Sequence, residues 1–141
     1  MAMAWRADAA SVKRFEQRFP VISELYSGVS IVVPPTTDRL LVNRLQNKPG
    51  LKLSVGNQGN ENRRYRTIKQ ALTFEAATHI HYCDGDHVIA RMEHNLADWK
   101  HVLERIGDTD CLIVMRSPAV FEQYPRPLRE TERIINQVGS L

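Results

Sequence analysis

Asp84 and Asp86 flank Gly85 in the stretch HIHYCDGDHV, residues 79 to 88, behind two histidines and a thiol and before a third histidine. Two carboxylates at i and i+2 of an extended segment project to the same side. Held there, they repel one another and favour a cation between them. Their hard oxygens suit Mg²⁺ or Mn²⁺, ions that keep several waters and bridge to substrate phosphates. Gly85 lets the backbone turn tightly and approach a ligand. The same residues also read as a polar strand-to-helix turn with Asp86 as the cap. His79 and His81 alternate onto one strand face and His87 follows the aspartates, a spacing open to Zn²⁺ or Fe²⁺. Because His94 and His101 fall on helical segments, His79 reads as a strand-start residue and His81 as an internal one. A second charged group, Arg63, Arg64, Arg66 and Lys69, reads either as a solvated helix face or as a contact for a phosphate-bearing ligand.

The elements that must position these residues follow from periodicity. Val12, Phe15, Phe19, Ile22 and Tyr26 form a helical stripe from about Ala7 to Tyr26, with a break or kink expected at Pro20. Residues 1–27 are therefore expected to be a helical extension that covers a sheet face or serves as a contact in a homodimer. Trp5 reads as a loose terminal residue. VSIVV, residues 29–33, is a β-branched strand ended by Pro34 and Pro35, and Asp38 to Gln46 is a capped helix. LKLSV, residues 51–55, is the next strand, and GNQGN a polar loop. Glu61 to Ala77 is helical with a stripe of Tyr65, Ile68, Leu72 and Ala76, and HIHYC is a third strand. Asn95 to Ile106 is helical through Leu96, Trp99, Leu103 and Ile106, and CLIVM, residues 111–115, is a fourth strand. Ser117-Pro118 marks a helix start, and Thr131 to Val138 is the last helical pattern. Strands alternating with helices predict a Rossmann-like α/β fold, a mostly parallel sheet with helices on both faces. Ligands of such sheets bind beyond the carboxyl ends of the strands. The loops PPTTD, GNQGNENRR, DGDH and RSPAVF all fall on that edge.

Composition narrows the class. The 141 residues suit one domain, 1–141, and 43% apolar with 25% charged residues excludes a disordered chain. No apolar run is long enough to span a bilayer, and the first residues lack the pattern of a secretory signal. Cys83 and Cys111 each adjoin an apolar segment and read as buried reduced thiols, which implies a cytoplasmic address. The net charge of +3 is spread among interleaved acids, so nucleic acid is not the expected partner.

SIVVPPTTD, a second strand, and NENRRYRTIKQALTFEAATHIHYCDGDHV together resemble the nucleotide-sugar-binding half of GT-A-fold glycosyltransferases, the inverting family 2 type in particular. The resemblance covers roughly residues 29–116. It implies a loop that cups the base (Pro34, Pro35, Thr36), further substrate contacts from Asn57, Arg64, Arg66 and Asp84, and a divalent cation, Mg²⁺ or Mn²⁺, on Asp84 and Asp86. The activity it implies is transfer of a sugar from a nucleoside diphosphate to an acceptor that the sequence does not name. The chain departs from the family in offering Gly56-Asn57-Gln58 where an aspartate usually reads the base. It also keeps only the arginine of the helix pattern. Its length matches the nucleotide-binding half alone, as a truncated chain would, and no catalytic base is identified; Glu130 and Glu132 are the nearest stand-ins.

Two other readings remain open. Asp-Gly-Asp-His-Val also fits the nucleophile motif of haloacid-dehalogenase-type, Mg²⁺-dependent phosphatases, with Asp84 attacking phosphorus and Ser117 binding the phosphate. There the motif ends the first strand of the domain rather than the third. The other reading is a nucleotide-sugar-binding module without catalysis.

Overall fold

The computed structural model describes residues 1–57, 62–110, 112 and 121–138. These fall into two units, Met1–Thr109 and Asp110–Leu141. The first contains β1 (Ala2–Ala4), α1 (Ala9–Leu25), β2 (Val29–Val33), α2 (Arg39–Gln46), β3 (Leu51–Val55), α3 (Arg63–Ala71), β4 (Tyr82–Asp84), α4 (Gly85–His94) and α5 (Leu96–Ile106). In the second, the described helix is α6 (Arg126–Val138). CLIVM, Cys111, Ser117-Pro118 and Gln58 lie outside the described residues, Leu112 excepted.

The four strands make an all-parallel sheet in the order β3-β2-β1-β4. The expected α/β fold is thus present, with helices on both faces. Its assembly follows from strand alternation. Odd-numbered residues, Met3 and Trp5 with Val29, Ile31, Val33 and Leu51, join Val12, Phe15, Phe19 and Ile22 of α1, Val42 and Leu45 of α2, and Val88, Ile89 and Met92 of α4 in one apolar core. Even-numbered residues face α3: the Ser30 hydroxyl donates to Thr67 O at 2.9 Å, and Ser54 and Lys52 O bond Gln70.

Several expectations need correction. The first three residues before Trp5 form the inner strand β1, paired to β2 on one side and β4 on the other. Trp5, far from loose, is 4% exposed and packs against Phe15. The expected extension over residues 1–27 therefore contains a strand of the sheet as well as a helix. α1 runs unbroken through Pro20, which is exposed, so the carbonyl deprived of an N–H partner can turn to water. α3 is shorter than expected and buries Thr67 and Ala71, while Tyr65 and Leu72 of the expected stripe are 65% and 69% exposed. The strand before the acidic cluster is Tyr82–Asp84 rather than 79–83, and α4 begins at Gly85, one residue before the Asp86 that the strand-to-helix reading made its cap.

Candidate functional site

Because all four strands are parallel, their carboxyl ends share one edge. β1→β2→β3 proceeds in one direction across the sheet, and β4 then pairs on the far side of β1. The order of the strands therefore reverses between β1 and β4, the topological switch point at which open α/β sheets take their ligands. Ala4 and Asp84 are the paired residues there.

Asp84 stands on the α3 side of the sheet. The Tyr82 hydroxyl donates to its Oδ1 at 2.7 Å, and the Arg64 guanidinium approaches its Oδ2 at 3.4 Å. Burial, and then the Asp84 carboxylate, push the Tyr82 phenol far above its usual range, so Tyr82 remains a donor. Arg64 is positioned by the first turn of α3, which Asn62 caps by accepting from the N–H groups of Arg64 and Tyr65. Arg63 packs its stem at Gly56, where a Cβ would lie 3.4 Å from Arg63 Cγ and Cδ.

The sequence-derived residues are distributed along this edge. Pro34 is buried at the end of β2, with Pro35 and Thr36 exposed beyond it. Asp38, closing that loop, caps α2 through Leu40 N at 2.7 Å. Asn57 is exposed after β3, and Arg66 is half-buried one turn into α3. Arg64 and Asp84 are the pair brought into contact. Asp86 is not extended beside Asp84: it lies exposed in the first turn of α4. Helix formation at Gly85 has its own cause, since a Cβ there would meet Trp5 Cγ at 2.4 Å. Gly85 thus admits the Trp5 ring beneath the start of α4. Neither acidic residue caps α4 through its side chain: Asp84 is the N-cap residue but makes no such bond.

The histidines go elsewhere. His81 bonds Tyr26, His79 lies beside Thr78 Oγ1 at 3.1 Å, and His87 is exposed on α4. Among the described residues no group of three or more His, Cys, Asp or Glu gathers to hold a metal ion. Asp84 and Asp86, taken as the donors, fit an ion that takes its remaining ligands from water and phosphate, as Mg²⁺ and Mn²⁺ do. Cys83 is pushed up to about 11, first by burial and then by Asp84, which leaves it an inert thiol.

Sequence reasoning missed two contributors to this edge. Trp5-Arg6-Ala7-Asp8 follows β1 at the switch point, but three residues of Ala and Met gave no strand signal before it. Tyr82 was read as a strand residue only, although its i, i+2 relation to Asp84 places both on one face. No helix among the described residues is long and apolar enough to cross a membrane. Comparison with protein-family models, with curated proteins and with solved structures gives no match to this chain.

Proposed function

We propose that the carboxyl edge of the sheet binds a nucleoside-diphosphate sugar together with Mg²⁺ or Mn²⁺, and that the chain serves transfer of the sugar to an acceptor. One observation supports this above the others: Asp84 stands at the topological switch point, with the Arg64 guanidinium 3.4 Å from it. The two side chains are 37% and 67% exposed, and ion pairs so placed contribute little on their own. A diphosphate can therefore draw Arg64 away at small cost and exchange one weak pair for charge-assisted bonds.

In this reading Arg64 holds phosphate oxygens, and Asp84 with Asp86 holds the cation jointly with that phosphate and water. The cation supplies neutralisation of the charge that develops on the leaving diphosphate. Tyr82 keeps the Asp84 carboxylate oriented through its hydroxyl. Three strands precede Asp84, so Trp5–Asp8 follows the first strand and Pro34–Thr36 the second, and the base would lie against these two loops.

The test is thermal or urea unfolding with Mn²⁺ and UDP or GDP, alone and together. At about a hundred times the dissociation constant the pair should add roughly 2.7 kcal/mol. Arg64→Ala should weaken the diphosphate effect, and Asp84→Asn should abolish its dependence on Mn²⁺. No stabilisation by any nucleoside diphosphate, alongside hydrolysis of p-nitrophenyl phosphate lost in Asp84→Asn, would replace this reading with the phosphatase.

A further inference from the structure

The opposite, amino-terminal edge of the sheet carries a cavity of about 280 Å³. We propose that this cavity, walled by Tyr26, Gly28, Phe74, Ala77, His81 and Ile106, is a second binding site for an uncharged ring compound that bears a hydrogen-bond acceptor. It is independent of the carboxyl-edge reading, which uses none of these residues.

The walls are fixed before any ligand arrives. Phe74 lies so close over Gly28 that a Cβ there would sit 2.5 Å from its ring, and the Lys52 ammonium lies 4.2 Å from the ring centroid. His81 stacks on Trp99 with centroids 4.7 Å apart. A site held in this way loses little freedom when it is filled.

Its polar handle follows from donor arithmetic. The Trp99 indole can only donate, and it does so to Tyr26 Oη at 2.8 Å. Tyr26 in turn lies 2.8 Å from His81 Nδ1, and in the proposed site its proton goes to that nitrogen, so that Nδ1 accepts. A neutral imidazole that accepts at Nδ1 carries its proton on Nε2. In that tautomer Nε2–H is the donor assigned to the ligand.

The lining also sets the charge. Among the described residues no Asp, Glu, Lys or Arg borders the cavity. The Met1 amino group donates to Gly28 O at 2.7 Å and is lowered to about 6 by burial, leaving it uncharged at neutral pH. A charged ligand would find no counter-ion, whereas Leu25, Ile80 and Leu103 add apolar surface for a ring. An apolar cavity of roughly 150 Å³ takes benzene, so this one suits a fused pair of rings.

The probe is quinoline near neutral pH, where its ring nitrogen is an unprotonated acceptor, compared with naphthalene, which has the same shape and no acceptor. Amide shifts are followed in ¹H–¹⁵N spectra of the full chain. The expected result is saturable shifts at Gly28, Ala77 and Ile80, with naphthalene about tenfold weaker because Nε2–H is then buried unpaired. Ala77→Phe should fill the cavity and abolish binding, and His81→Phe should bring quinoline down to the naphthalene level. Absence of saturation at millimolar quinoline, or undiminished shifts in Ala77→Phe, would overturn the site. Equal binding of the two probes by the wild-type chain would overturn the acceptor requirement, whether or not His81→Phe folds.

Discussion

Packed between Tyr26 and Trp99, the His81 imidazole is held at about 4 instead of its ordinary 6.5, first by burial and then by the charge of the chain's amino group. The unfolded chain takes up a proton at this position as pH falls through 6.5, and the folded chain does not until about 4. Between those values the unfolded state binds more protons, so stability rises with pH there. Its contribution is complete above 6.5, declines as pH falls, and is fully lost below about 4. The shift corresponds to at most about 3 kcal/mol. Asp8 and Glu93 are lowered from the ordinary carboxylate range, by bonds to Ser11 and to Arg14 respectively, so their losses begin only where His81 has lost most of its own. The buried Met1 amino group, lowered from 8.0 to about 6, adds a loss of the same sign in both the wild-type chain and His81→Phe. Urea midpoints measured from pH 7 to pH 4 should therefore fall in the wild-type chain and clearly less in His81→Phe. A wild-type curve no steeper above pH 5 than that of His81→Phe would show that the imidazole is protonated in the folded state and that Tyr26 does not donate to it.

At the scale of the elements, α3 shows what holds a nine-residue helix, too short to be stable alone, onto a sheet. Its buried residues are Thr67 and Ala71, it meets Ser30 on the sheet, and a pair of hydroxyls replaces large side chains. The Thr67 hydroxyl lies 3.1 Å from Ser30 O, accepts from Met3 N–H at 3.2 Å, and touches Ser30 Oγ at 3.2 Å. Thr67→Val keeps the volume but leaves these groups unpaired in the interior, and should cost about 1–3 kcal/mol. Ser30→Ala should cost less than that, and the double variant less than the sum, with a coupling of about 0.5–3 kcal/mol. Strict additivity in urea midpoints would mean that packing alone holds α3. This chemistry also explains why the stripe read from Tyr65, Ile68, Leu72 and Ala76 misassigned the helix. Apolar periodicity finds a buried face only where large apolar residues line it, and Thr67 is among the most deeply buried residues of the chain. By the same token α1, α2 and α5, whose buried faces are aromatic and aliphatic, were legible. α4 was not: Gly85 and Asp86 are loop residues by type, and only the Trp5 ring packed beneath them explains a glycine at the start of a helix. For the site, the edge and the presence of Arg64 and Asp84 on it could be read, whereas their pairing could not. The separation of Asp84 from Asp86 depended on that unseen helix.

Over the whole molecule, the decisive feature is that the chain's first strand lies inside the sheet. Ala2–Ala4 offers no β-branched residue, and strand propensity is conferred by neighbours more than by the residues themselves. β2 and β4 make it a strand by pairing with it on both sides. Among the described residues, those of the main apolar core lie between Met1 and Leu103, within the unit Met1–Thr109. That distribution predicts two opposite outcomes for shortened chains. A chain ending at Thr109 keeps the described core and all four described strands, so it should retain one cooperative urea transition. A chain lacking residues 1–4 loses the strand that joins β2 to β4, together with the buried Met3 side chain, whose deletion alone costs about 2–5 kcal/mol. With β2 and β4 each left facing a gap, it should show no cooperative transition and should expose apolar surface to a dye such as ANS. If the chain without residues 1–4 unfolds as cooperatively as the full one, β1 is dispensable to the sheet. The switch point between β1 and β4, on which the carboxyl-edge site depends, would then lose its basis.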